Sequence, residues 1–201
     1  MPEVLVPAER FERWVLNFNG RHGTTGLTVA DDALVGAASD GSTFSARLPF
    51  ATPYAGLPEP AAFALEAVPP DRWGVLLVRK GGFAVARLEG DRTVESKVGQ
   101  RHVQGRTKAG GQSQQRFARR RDNQARQAFE AAADHAARIL GSRGLLVTGG
   151  DHTAVAEVLA DTRLTGHRVV EPWLPVPDPR RGILEQAVRD ACSLRITVHN
   201  A

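Results

Sequence analysis

The sequence is poor in cysteine and has no long apolar run. Its one cysteine, Cys192, excludes an internal disulfide bond, and no histidine stands near it at ligand spacing. No stretch of about 18 apolar residues occurs, which excludes a membrane-spanning helix. The N-terminal residues carry acids where a secretory signal would be basic and then apolar. We therefore expect a cytoplasmic chain without a membrane partner, in which Cys192 is a small buried residue.

Clustered metal ligands are also missing. The six histidines are scattered, without the H-x-H or H-E-x-x-H spacing of zinc sites. The apolar run WGVLLVRK at residues 73–80 has no carboxylate where a two-metal nuclease needs one. We therefore predict no metal site, no cofactor and no nuclease activity.

Two further patterns have both a functional and a structural interpretation. The sequence VTGGDHTA at residues 147–154 could cradle a phosphate, but it lacks the third glycine and the Lys-Ser/Thr pair of phosphate-binding loops, which favours a tight structural turn. Trp14, Trp73 and Trp173 could stack on bases. Each of them stands in an apolar run, which favours a place in the core.

Positive charge is modest in total but concentrated in one segment. The net charge is +4, yet residues 101–126 hold eight Lys or Arg and one acid, so this segment carries +7 and the remainder −3. Only three of the 26 basic residues are lysine, and arginine favours bidentate contacts with phosphate. An acidic body with one basic limb suits a limb that enters a polyanion such as RNA. A solvated helix face is the alternative.

Residues 1–70 are predicted to form a small N-terminal α+β lobe. Apolar residues at helical spacing predict a helix over residues 8–19, which Gly20 and Gly23 would end. Three short β-prone runs follow at residues 27–29, 33–37 and 43–48. The proline-rich stretch after them, residues 49–60, predicts an irregular loop.

The middle of the chain predicts a strand meander, a polar loop and a long helix. Three β-prone runs, at residues 73–80, 83–89 and 92–98, are separated by short glycine-containing turns, which predicts three antiparallel strands. A polar loop over 99–112 leads into a helix over 113–140, about 42 Å long, with Ser113 as its N-cap. The far half of this helix has an apolar stripe and is expected to dock, while the cationic near half projects.

Residues 141–201 alternate between apolar strands and helices. Strands are predicted at 144–150, 167–172 and 194–199, and helices at 151–160 and 179–191. Together with the meander, this alternation predicts an α/β (α+β) fold with a mixed sheet. We therefore predict a second domain, residues 71–201, after the N-terminal lobe at residues 1–70.

A Gly-Gly-Gln tripeptide at residues 110–112 lies inside the basic segment. Its surroundings, RTKAGGQSQQRFARRR at residues 106–121, resemble the hydrolysis loop of the eukaryotic and archaeal translation termination factor, including the Arg-Phe-Ala-Arg spacing. Bacterial termination factors continue with His-Val-Asn or Asn-Val-Asn, which is absent here. The R-x-K-x-G pattern before the glutamine is similar to the eukaryotic ribosome-rescue hydrolase. The best overall match is the actinobacterial release-factor-like peptidyl-tRNA hydrolase family.

This resemblance implies an activity and a set of site residues. It implies a ribonuclease-H-like hydrolytic domain that hydrolyses peptidyl-tRNA on stalled large ribosomal subunits, with rRNA and peptidyl-tRNA as partners and no DNA. The implied catalytic residues are Gly110, Gly111 and Gln112. The implied RNA-binding residues are Arg106, Lys108, Arg116, Arg119, Arg120 and Arg121. Two glycines allow close approach of the main chain to the ribose, and a backbone N–H can then donate to the developing oxyanion.

The sequence also departs from the termination factor. We expect neither a decoding domain nor a C-terminal partner-binding domain, so codon recognition is not expected and ribosome rescue is favoured. A non-catalytic RNA-binding or ribosome-binding protein that uses the same basic limb is the alternative. A DNA-binding helix is disfavoured because recognition helices belong to compact helical motifs and do not follow a strand meander.

Overall fold

The structure is a computed structural model that describes the backbone of residues 3–100 and 112–201 and the side chains of residues 3–99 and 126–201. It divides into two compact units. Unit 1 consists of residues 1–70, 170–172 and 188–201, and unit 2 consists of residues 71–169 and 173–187. Compact units of this kind do not test domain boundaries. The predicted domains, residues 1–70 and 71–201, therefore stay a prediction.

Unit 1 contains an antiparallel sheet of five strands in the order β1-β10-β4-β3-β2. The strands are β1 (Glu3–Val6), β2 (Thr25–Ala30), β3 (Ala33–Ala38), β4 (Thr43–Arg47) and β10 (Leu194–His199). The last strand of the chain lies between the first and the fourth, with Ile196 opposite Val4 on one side and Ala46 on the other. This sheet therefore joins segments from both ends of the sequence.

Helix α1 (Phe11–His22) supplies the main apolar face of unit 1. It is preceded by a 3-10 turn, Ala8–Arg10, and it ends at Gly23, whose φ of +89° suits glycine. Phe11, Val15 and Phe18 follow one another at helical spacing and are buried against the sheet. The short helix α2 (Pro60–Leu65) adds Phe63, whose ring centroid lies 5.3 Å from that of Phe11.

Unit 2 contains the mixed sheet that the sequence predicted, in the order β7-β6-β5-β8-β9. Its strands are β5 (Trp73–Arg79), β6 (Gly82–Glu89), β7 (Arg92–Gln100), β8 (Arg143–Gly150) and β9 (Gly166–Leu174). Strands β5, β6 and β7 form an antiparallel meander, and β8 pairs with β5 in parallel. The predicted fold class, α+β with a mixed sheet, is confirmed.

Three helices accompany this part of the chain: α3 (Gln112–Leu140), α4 (His152–Leu159) and α5 (Arg181–Ala191). Helix α4 begins after Asp151, whose carboxylate accepts a hydrogen bond from the N–H of Ala154 at 2.9 Å. Over the residues that the structure describes, no helix is both long and apolar enough to cross a membrane. Cys192, expected to be buried, is only partly buried.

Candidate functional site

The Gly-Gly-Gln sequence follows strand β7 along the chain, and its glutamine is the first residue of helix α3. Strand β7 ends at Gln100, two residues into the predicted loop, and α3 begins at Gln112. Ser113, predicted as the N-cap, is therefore the second residue of the helix. The helix thus begins one residue earlier than predicted. A sequence pattern does not fix the first residue of a helix that closely, and the preceding Gly-Gly pair does not fix it either. The backbone thus places Gln112 at the junction of loop and helix.

The predicted site residues fall into two groups. Four arginines lie in α3, within its first ten residues, and their side chains lie outside the described part of the chain: Arg116, Arg119, Arg120 and Arg121. Four further residues lie outside the described residues altogether: Arg106, Lys108, Gly110 and Gly111. What the structure adds is the support on both sides of them, in β7 and in the far half of α3.

The far half of α3 docks on the sheet of unit 2, as the apolar stripe predicted. The helix has 29 residues, which gives a length of about 44 Å. Buried residues of its last three turns pack against the cluster formed by β5, β6, β8 and α4. These helix residues are Ala132, Ala133, Ala136, Ile139 and Leu140. Phe129, one turn nearer to the loop, is partly buried against the same cluster.

Ion pairs brace α3 on two sides. Arg138 of the helix pairs with Glu95 of β7, and Asp134 pairs with Arg163 at 2.7 Å. Arg163 stands in the 3-10 turn Thr162–Leu164 and also pairs with Asp161 at 2.6 Å. Hydrogen bonds from the Arg163 side chain and backbone lower the pKa of Asp161 from 3.8 to about 2. The same two carboxylates raise the pKa of Arg163.

A contact between three elements lies next to the loop. Gly99 passes directly over the ring of Phe83, and a Cβ added at Gly99 would stand 2.3 Å from Phe83 Cε1. The same ring stacks on His135 of α3, at a centroid distance of 5.5 Å and an interplanar angle of 27°. Strand β7 and helix α3, which flank residues 101–111 in the sequence, thus share one aromatic support.

Sequence reasoning missed these supporting residues. Arg138 and Glu95 are 43 residues apart, and Arg163 and Asp134 are 29 apart. No local pattern pairs side chains at such separations. Gly99 offered no such signal, because it follows the β-prone run at residues 92–98 and falls at the start of the predicted polar loop.

The Gly149-Gly150 turn has a structural explanation. A Cβ at Gly149 would lie 2.3 Å from the carbonyl oxygen of Leu174, and one at Gly150 would lie 2.3 Å from that of Val78. Gly150 also has a φ of +104°, and the N–H of Asp151 donates to the Val78 carbonyl at 2.9 Å. Both glycines are thus required by packing, which supports the structural turn. Among the described residues no group of His, Cys, Asp or Glu is arranged to hold a metal ion.

Comparison with known proteins identifies the family. The family model of the Actinobacteria/chloroflexi VLRF1 release factor matches residues 71–197. The chain belongs to this release factor family. The family prediction drawn from residues 106–121 is therefore confirmed.

Curated proteins and solved structures add little to this assignment. No curated protein matched the chain. The crystal structure of Archaeoglobus fulgidus Pelota is 12% identical to it, with a TM-score of 0.29. That comparison covers 92% of this chain and 63% of the Pelota chain, so the chain spans less than two thirds of the length of Pelota.

Proposed function

We propose that the protein is a peptidyl-tRNA hydrolase that frees nascent chains on stalled large ribosomal subunits without reading a codon, in the cytoplasm. The observation that carries this proposal is the Gly-Gly-Gln sequence at residues 110–112, at the junction between β7 and α3 in a member of a release factor family. Release factors are distinguished from other ribosome-binding proteins by ester hydrolysis, and this tripeptide is the segment suited to it.

The chemistry needs positioning more than a strong nucleophile. Water attacks the ester carbonyl between the peptide and the terminal ribose, and negative charge develops on oxygen. Gly110 and Gly111 allow the main chain to approach the ribose, so that the N–H of Gln112 can donate to that charge. The Gln112 side-chain amide would orient the water. A neutral amide is a poor base, so proton transfer falls to the RNA and the solvent.

The docked half of α3 supports this role. A loop that acts by backbone geometry loses rate when it is displaced by about 1 Å, so its base must be fixed. Buried alanines, Ile139 and two ion-pair braces hold the helix that carries Gln112. Basic residues in the loop and the near half of α3 would bind phosphates of rRNA and tRNA and set its orientation: Arg106, Lys108, Arg116, Arg119, Arg120 and Arg121.

The test uses purified large subunits that carry peptidyl-tRNA. Gln112→Ala keeps the backbone N–H but loses the amide that orients the water, so we expect it to lower the rate of peptide release on the order of 100-fold, the scale of a misplaced reactant. Binding to the subunit, followed by co-sedimentation, should remain at the parent level. Gln124→Ala is the matched control, because it removes a glutamine from the same helix three turns away. The proposal fails if Gln112→Ala and Gly111→Ala release peptide as fast as the parent.

The alternative is a non-catalytic ribosome-binding protein. It draws support from the charge of +7 within residues 101–126. Both functions predict salt-sensitive binding that is weakened when Arg119, Arg120 and Arg121 are replaced by glutamine. Only hydrolysis predicts a variant, Gln112→Ala, that binds normally and does not release peptide.

A further inference from the structure

A groove runs along helix α1 and strand β1 in unit 1. Two adjoining hollows form it, of about 620 Å³ and 310 Å³. Trp14 and Asn17 line both hollows, so the two hollows adjoin there. The floor includes apolar residues of β1, among them Leu5 and Val6, and β1 is an edge strand of its sheet.

Arginines stand along one side of this groove. Arg10 and Arg13 line the larger hollow, and Arg21 lines the smaller. Arg10, Trp14, Asn17 and Arg21 follow one another at intervals of four, three and four residues, which is a single stripe of a helix. Eleven residues of helix span about 16 Å.

The positive charge of the groove is local and uncompensated. Unit 1 holds six arginines and ten acids, so it is acidic in total, yet three of its arginines line this groove. Glu9 and Glu12 are exposed on the same segment, but none of the described residues that line either hollow is an acid. Within the described part of the chain these three arginines form no ion pair, whereas Arg195 of the same unit pairs with Glu3 at 2.8 Å.

Trp14 provides an aromatic surface in the middle of the groove. It is only partly buried, although its apolar surroundings in the sequence favoured a core position. Its ring meets Phe44 edge to face at 5.1 Å and lies against Phe18 at 5.6 Å. An indole ring held by other aromatic side chains keeps one orientation. Such a ring offers contact area to a partner without loss of side-chain entropy.

We propose that this groove is a second RNA-binding site, which takes a single-stranded segment of RNA. Arg10, Arg13 and Arg21 bind phosphates through their planar guanidinium groups, and Trp14 contacts a base. An acidic peptide could use the arginines, but it would leave the central indole without a matching group. The site is independent of the Gly-Gly-Gln segment, and its existence does not depend on the hydrolase activity proposed above.

The test measures how RNA binding depends on salt. A fluorescein-labelled single-stranded RNA of about 12 nucleotides is titrated with the full chain between about 50 and 200 mM salt. Each phosphate contact contributes about 0.7 to the slope of log K against log salt for a single strand. The variant Arg10→Gln, Arg13→Gln, Arg21→Gln should therefore reduce the slope by about 2. Residues 101–126 are unchanged in every variant. The difference in slope between the parent and the groove variant therefore measures the contribution of the three groove arginines.

A matched control removes the same charge elsewhere. Arg47, Arg143 and Arg168 are exposed and form no ion pair with any described residue. Their triple replacement by glutamine should leave the slope at the parent value. The proposal is overturned if the groove variant keeps the parent slope, if the control variant loses as much, or if the parent does not bind RNA.

A crosslinking experiment distinguishes the groove from the basic limb. The same RNA, carrying 4-thiouridine, should crosslink to a peptide that contains Trp14. Crosslinks confined to residues 101–126 would contradict the proposal. A further result would also contradict the proposal. In that result an oligoglutamate peptide binds the groove, while the groove variant keeps the parent's salt slope for RNA binding. A Gln112→Ala protein should show the parent slope, which separates this result from the test of hydrolysis.

Discussion

Gly99, near the end of β7, leaves no room for a side chain. The Phe83 ring lies beneath it and also stacks on His135 of α3. A methyl group at position 99 has to push this ring and, through it, the helix. We expect Gly99→Ala to lower the free energy of unfolding by about 1–3 kcal/mol. The rate of peptide release should also fall. Both effects are checked by measuring urea unfolding and peptide release on the same variant.

Gly20 provides the control for this substitution. It lies inside α1, and a Cβ added there meets nothing within 4 Å. Alanine is preferred over glycine in a helix, so Gly20→Ala should raise the free energy of unfolding by about 1 kcal/mol. Peptide release should be unchanged. If Gly99→Ala were as stable and as fast as the parent protein, the shared support of β7 and α3 would be disproved.

Helix α3 depends on a brace that should respond to acid. The pKa of Asp161 is lowered to about 2, so its carboxylate is favoured in the folded chain. Its contribution to stability is complete above the ordinary pKa of 3.8 and is lost as the pH falls through about 2. We expect Asp161→Asn to be less stable near neutral pH. Between about pH 4 and 2 its thermal midpoint should fall less steeply than that of the parent.

The comparison for this pH series is Glu157→Gln. Glu157 is an exposed acid of α4 that pairs with no cation in the described residues. Its replacement should leave the parent profile unchanged. Identical slopes for Asp161→Asn and the parent below pH 4 would show that the brace of Asp134, Arg163 and Asp161 contributes nothing in solution.

The elements themselves were predictable where their signals are local. The meander of β5, β6 and β7 follows from turn glycines and strand alternation, and the docking of α3 follows from its apolar stripe. The Gly-Gly-Gln segment and its arginines were likewise visible in the sequence. The position of β10 in the first sheet was not predictable. Leu194 and Ile196 alternate with polar residues, and such a strand could pair in either sheet. Pairing partners far apart in sequence leave no periodic pattern.

The same limit applies to the groove of unit 1 and to the braces of α3. Helix α1 was predictable, but the groove beside it requires β1, which is held in the sheet by β10. Trp14 therefore carried a core signal in the sequence and is partly exposed in the fold. The braces of α3 likewise join residues on separate elements.

At the scale of the whole molecule, unit 1 is built from two distant parts of the chain, and both parts are needed for it to fold. Residues 188–201 belong to unit 1, and β10 is the second strand of its sheet. We expect a fragment of residues 1–70 to remain unfolded, because β1 loses β10, its one partner among the described strands, and the apolar face of α1 loses Leu194 and Ile196. Its amide NMR spectrum should lack dispersion.

Restoring the missing strand is the complementary experiment. Residues 1–70 joined to residues 188–201 through a flexible Gly/Ser linker should give a dispersed spectrum and a cooperative thermal transition. A well-dispersed spectrum from residues 1–70 alone would show that β10 is dispensable for unit 1.

The position of β10 also determines the order of events during synthesis. Because the ribosome makes residues 194–199 after all of unit 2, the first sheet waits while more than a hundred residues are added. During that interval Phe11, Phe18 and Phe44 have no completed layer to cover them. The emerging chain should therefore attract chaperones through its earliest segment, and a ribosome that stops before residue 194 should leave that segment open to proteolysis.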